Sequence, residues 1–221
     1  MSPQEVSKWE NGKNLPETAI LSRISKTLGV SIDSILMPQK LFILSAMFSN
    51  GIDNAEVTSI LSRCVNGGKL DVAVTPQFIG ASFRNERVEV LTVKYQTEKG
   101  TYFVCTPYGE RLIIDAEEEG LSDNKNFAIV GAWYGNEDGF RDVMFKMEHY
   151  EYFNYKDIYV NHELFPSSPA IDAPEYLTIV FLNKSGIHTV SCRESEALTY
   201  SADRTGLLLG RLAFCRVKVY G

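Results

Sequence analysis

The side chains best suited to chemistry in this 221-residue chain are few and scattered. His149, His162 and His188 fall 13 and 26 residues apart, a spacing that matches no metal-ligand motif. Cys64, Cys105, Cys192 and Cys215 form no C-x-x-C pair, so neither a zinc knuckle nor a disulfide framework is expected, and the thiols read as buried and reduced. No G-x-S-x-G elbow, no G-x-x-x-x-G-K and no H-E-x-x-H occurs. The expectation is a protein that is not an enzyme and holds neither metal nor cofactor. Charge points elsewhere. Residues 1–40 carry a net +1 and the remaining 181 carry −7, so any contact with phosphate is expected in the first forty.

The elements of that N-terminal stretch can be read from their start and stop signals. Ser2-Pro3-Gln4-Glu5 is a capping box, with serine at the N-cap, proline at the first helical position and a glutamate able to reach back to the cap amide. A helix therefore begins at Pro3, with Val6 and Trp9 on one face and Asn11-Gly12 at its end. A second helix is predicted from about Pro16 to Leu28, with Ile20, Leu21, Ile24 and Leu28 as its apolar stripe and Gly29 as its stop. Ser31 caps a third turn through Ile32, Ile35 and Leu36.

The run "SPQEVSKWENGKNLPETAILSRISKTLGVSIDSIL" resembles the later half of the Cro/C1-type helix-turn-helix of phage repressors and their bacterial relatives. The resemblance implies a recognition helix from Pro3 to Glu10 lying in a major groove of double-stranded DNA. Carried over by position, Gln4 and Lys8 face bases with Ser7 beside them, while Ser2, Asn11 and Lys13 hold phosphates, which set register without specifying sequence. Pro3 stands where some relatives bear a base-reading polar side chain. Trp9 and Glu10 are expected to be structural. The family also implies a homodimer, and it places two further helices before the recognition helix. On that pattern the headpiece is expected to be N-terminally truncated, with Met1 standing for the valine of an L-G-V-S turn. A headpiece of this size lies below what normally sustains its own core.

The rest of the chain repeats itself. Shifted by 86 residues, "LFILSAMFSN" (41–50) falls on "FAIVGAWYGN" (127–136), and "LTVKY" (91–95) on "LTIVF" (177–181), with 14 identities over 74 ungapped positions. Each copy reads as a strand, a short helix and several strands. In the first copy these are a strand at 41–48, a helix over 53–64, and strands at 70–75, 88–96, 101–106 and 111–115. The acidic stretch "DAEEEGLSDNKN" (115–126) reads as the linker, and residues 213–221 as a terminal strand or the start of a third copy.

The repeat also resembles, more weakly, a module at the C-termini of some DnaJ-like proteins, through Ile129, Ala132, Tyr134, Gly135, Asp142, Val143, Leu177, Ile179, Phe181, Val190, Glu196 and Leu198. These are packing and turn positions and imply no activity. Glu110 and Glu196, present in both copies, read as turn caps. "EHYEYFNYKDIYVNHELF" (148–165) concentrates aromatics among acids, the composition either of a sheet face or of a surface for a carbohydrate, peptide or small ligand.

The expected fold class is α+β. An incomplete helix-turn-helix headpiece (1–37) precedes two tandem β-rich domains (41–115 and 127–221) joined by a linker at 116–126. The expected function is DNA-binding transcription regulation, with the β-rich domains binding an unknown ligand or partner. The alternative is a non-enzymatic scaffold whose β-rich domains carry the function. With no bilayer-length apolar run and no leader, the chain reads as cytoplasmic, without a membrane.

Overall fold

The computed structural model describes residues 3–11, 13–14, 18–29, 32, 40–83, 86–122, 126–161, 165 and 174–210. Helix α1 (Pro3–Glu10) starts where its proline predicts. It ends in a tight reversal in which the Asn11 and Lys13 amides donate to the Ser7 and Lys8 carbonyls, at 3.2 and 2.9 Å. Helix α2 (Thr18–Leu28) is followed by Gly29 at φ +67°, a left-handed stop that suits a residue without Cβ. Leu21 of α2 is buried, with Ile20 and Ile24 half-buried beside it. Residues 15–17, where the second helix was expected to begin, lie outside the described residues, as do Ser31, Ile35 and Leu36 of the expected third turn; Ile32 is helical.

From Lys40 onward the chain is β-rich and antiparallel, giving the expected α+β class. Its first half contains β1 (Leu41–Ser49), β2 (Asn54–Glu56), α3 (Thr58–Ser62), β3 (Lys69–Ala73), α4 (Pro76–Ile79), β4 (Val90–Thr97), β5 (Gly100–Pro107), β6 (Arg111–Asp115) and β7 (Leu121–Ser122). Its second half contains β8 (Phe127–Asn136), β9 (Gly139–Asp142), α5 (Met144–Tyr152), β10 (Asp157–Tyr159), β11 (Tyr176–Asn183), β12 (Gly186–Arg193), β13 (Ala197–Tyr200) and β14 (Leu207–Gly210). The main sheets run β2-β1-β4-β5-β7 and β12-β11-β8-β9; the small sheets run β3-β6 and β10-β13-β14.

The two halves share local hydrogen bonds at a constant offset of 86. The Val57 and Val143 amides both donate to an alanine carbonyl of the first strand, Ala46 and Ala132, at 2.9 Å. Val74 and Val160 donate to the Glu110 and Glu196 carbonyls, and Tyr108 and Glu194 to the Glu89 and Glu175 carbonyls. Asn50 and Asn136, both buried, use Oδ1 to accept two amides of the turn that follows. Even the register slips coincide: pairing with the neighbouring strand skips Leu44 in β1 and Val130 in β8.

Three apolar clusters hold this region together. One face of the first main sheet packs Leu41, Phe48, Leu91 and Val93 against Leu61 of α3, Leu70 of β3 and Leu112 of β6. The second half repeats that layer with Tyr134, Leu177 and Ile179 against Met147, Ile158 and Leu198. The third cluster joins the halves: Val88 and Val90 meet Trp133 and Val180, with Cys105, Val130, Phe140 and Ile187 around them. The central strands β4 and β11 are consequently buried along nearly their whole length, which explains apolar runs where a half-exposed strand would alternate.

One turn differs informatively between the halves. Gly109 sits at φ +87°, and Ser195, at the equivalent place after β12, at φ +69°. A side chain in that region costs about 1–2 kcal/mol. Gly109→Ala is therefore expected to lower stability by about 1 kcal/mol, whereas Ser195→Gly is expected to raise the melting temperature, the relief of strain outweighing the added unfolded-state entropy.

Some expected elements changed. The helix predicted over 53–64 is strand β2 for its first part and helix only from Thr58, because the turn held by Asn50 sends the chain back along β1 before it coils. The acidic stretch 115–126 is tied to the first half: Leu121 and Ser122 pair with β5, and Glu117 and Asp115 pair with Lys40 and Lys69. Of the cysteines, Cys192 is buried while Cys64 and Cys105 are half-buried, and all three are free thiols. Cys215 and the rest of 211–221 lie outside the described residues.

Candidate nucleic-acid interface and an aromatic cleft

Helix α1 separates its polar and apolar residues by spacing alone. Gln4, Ser7, Lys8 and Asn11 stand at i, i+3, i+4 and i+7, which puts them in one stripe, and all four are exposed. Val6 and Trp9 fall on the opposite side and are half-buried. The stripe carries an amide, a hydroxyl and an ammonium, the groups that pair with purine edges in a major groove. Lys13, just past the helix, is exposed as well.

Asn11 has a structural task. Its Nδ2 donates to the Ser7 carbonyl at 2.6 Å and approaches the Ser7 hydroxyl at 3.4 Å, so the amide expected at a phosphate closes the helix end. Ser2 lies outside the described residues, as do the side chains of Glu5 and Glu10. Five of the six residues expected at DNA therefore lie along or directly after one helix, and no charged group on them is buried.

The histidines do not converge. His149 of α5 lies tilted against Phe153 with ring centres 4.5 Å apart, whereas His188 of β12 stacks on Phe181 and bonds through Nε2 to Ser185 and Asn183. His162 lies outside the described residues. Among the described residues no three His, Cys, Asp or Glu side chains come close enough to hold a metal ion. Glu196 accepts the Arg193 amide at 2.9 Å and so caps the turn after β12.

The aromatic stretch of the second half forms a cleft of about 530 Å³ between α5 and the edge strand β10. Phe145, Lys146, His149 and Tyr150 line one wall, and Tyr155, Asp157 and Tyr159 the other. Phe145 is 81% exposed and Tyr159 50%, so these rings are not spent on packing. Tyr150 meets Tyr155 edge-on at 5.3 Å. Burial, with Tyr155 beside it, pushes the Tyr150 phenol above its usual range, which keeps it a neutral donor. The stretch 148–165 signalled part of this surface. It omitted Phe145 and Lys146, whose membership follows from Phe145 lying one turn before His149 on the same helical face.

No helix among the described residues is long and apolar enough to cross a bilayer. No curated protein and no solved structure matches the chain. Residues 1–35 match the helix-turn-helix family model, which points to a DNA-binding regulator and covers α1 and α2.

Proposed function

We propose that the chain is a transcriptional regulator of the Cro/C1 type in which α1 reads operator bases through Gln4, Ser7 and Lys8. Ser2 and Lys13 hold phosphates, with Asn11 fixing the helix end, and paired headpieces on two chains occupy the operator. The β-rich halves are tandem copies of one module, non-catalytic, whose ligand or partner alters that occupancy. The observation carrying the DNA assignment is the exposed polar stripe of α1 within the segment that matches the helix-turn-helix family. A scaffold reading draws on a different observation: the three apolar clusters include no described residue before Leu41, which favours a β-rich region that carries its own cores.

Titrating promoter DNA and a scrambled duplex across a salt series, with the chain as it stands and with the product extended 5′ of codon 1, separates the two. A regulator prefers the promoter and loses affinity steeply with salt. Gln4→Ala is expected to reduce discrimination by about tenfold, the scale of one base contact. Lys13→Ala is expected to weaken all sequences alike and to flatten the salt slope by about 0.9, the value for one phosphate. Equal, salt-insensitive binding of both duplexes by both forms leaves the scaffold.

A further inference from the structure

The two small sheets share one antiparallel pair, β3-β6 in the first half and β10-β13 in the second, and that pair carries different chemistry in each. In the first half the outward face is closed by two ion pairs. Arg111 Nε and Nη2 both donate to Asp71 Oδ1, at 3.1 and 2.6 Å, and Lys69 pairs with Asp115 at 2.6 Å. Shifted by 86, Asp71 becomes Asp157, but Arg111 becomes Ala197 and Lys69 becomes Tyr155. The carboxylate is kept and both cations are gone. Asp157 holds one hydroxyl, that of Thr199 at 2.7 Å, and lines the cleft. The rings around it replace small or polar residues: Phe145, Tyr150 and Tyr159 stand where the first half has Ser59, Cys64 and Ala73. The fold is made in both halves, so it does not require these rings.

We propose that this cleft binds an organic cation, a guanidinium or alkylammonium group on a short apolar stem. The first half fills the position beside its aspartate with the chain's own guanidinium, which shows what chemistry that carboxylate accepts. The second half leaves that position to an incoming group and lines it with π-faces, which attract cations and stack on planar guanidinium. The cleft's own cation, Lys146, is directed to the Phe165 ring, with Nζ 5.9 Å from its centre. A volume of about 530 Å³ lies in the range of small-ligand sites and is ample for such a group. The inference rests on the sensing half of the function proposed above and names its ligand class.

The test is calorimetric titration of the full chain with butylguanidinium, butylammonium and the uncharged isostere butylurea. The two cations are expected to bind about tenfold or more tightly than butylurea, because only they engage both the carboxylate and the rings. Asp157→Asn is expected to weaken the cations by about tenfold and Tyr159→Ala by about fivefold, both positions being at the surface, while Asp71→Asn changes nothing. A fourth probe, acetyl-Gly-Arg-Gly-amide, identifies the source: tighter binding than butylguanidinium assigns a peptide side chain, and equal or weaker binding a free small cation. Equal binding of butylurea, an unaffected Asp157→Asn, or no cation binding by protein whose circular dichroism is native overturns the proposal. The titration contains no DNA, so its failure removes the cation site and leaves the reading of α1 standing.

Discussion

Replacing Trp133 by alanine is expected to destabilise the β-rich region by about 3–5 kcal/mol, the range for deleting a buried large aromatic. The indole is 6% exposed and lies over Gly131, whose missing Cβ makes room for it between the two main sheets. It is the largest side chain of the cluster joining the halves, so its loss opens a cavity at their junction. Urea unfolding followed by circular dichroism measures the cost. Cys105 supplies a second readout from the same junction. Its thiol donates to the Val130 carbonyl at 3.3 Å, and burial pushes its pKa up to about 12, which leaves almost no thiolate at neutral pH. In the Trp133→Ala protein Cys105 is expected to react faster with a thiol reagent, while Cys64 reacts at its former rate.

Much of this architecture was legible before any coordinate. The sequence pattern located β4, β5 and β6 to within two residues, because β4, covered on both faces, is an apolar run, β6 alternates buried with exposed positions, and turns such as Glu98-Lys99-Gly100 bound them. Strand β2 was missed because three residues, Asn54 to Glu56, carry no period, and the helical spacing of Val57, Ile60, Leu61 and Cys64 ran on across them. Helix α4 had a readable start in Thr75-Pro76, where the threonine hydroxyl accepts the Phe78 amide, with Gly80 at φ +73° as its stop. The exposed polar stripe of α1 could be placed because helical spacing alone decides which residues share a face. The cleft could be placed only in part. Its aromatics are visible in the string, but the loss of Arg111's counterpart at Ala197 has meaning only once β6 and β13 are known to lie beside Asp71 and Asp157.

Gly51→Ala is expected to cost about 2–4 kcal/mol, combining a left-handed backbone with overpacking. Gly51 sits at φ +87° in the turn after β1, and a Cβ there would stand 2.6 Å from the Ser191 amide nitrogen of the second half. That neighbour is backbone in a paired strand, so no rotamer change relieves the clash. The substitution adds one methyl to a surface turn, yet its effect falls on the junction. Unfolding is expected to lose cooperativity, with a broadened transition and a reduced m-value. A single sharp transition at an unchanged midpoint would show that the turn moves away freely.

The three apolar clusters include no described residue before Leu41, and on the function proposed above this bears on how a sensor would speak to an operator. A lever needs a shared packed surface through which a shift on one side displaces the other. On the function proposed above, cores that share no described residue with the headpiece suit a geometric route: a ligand that changed how two chains associate would change the distance between their recognition helices. An operator read in this way would respond through half-site spacing and local concentration, both governed by the length and stiffness of whatever joins reader to sensor.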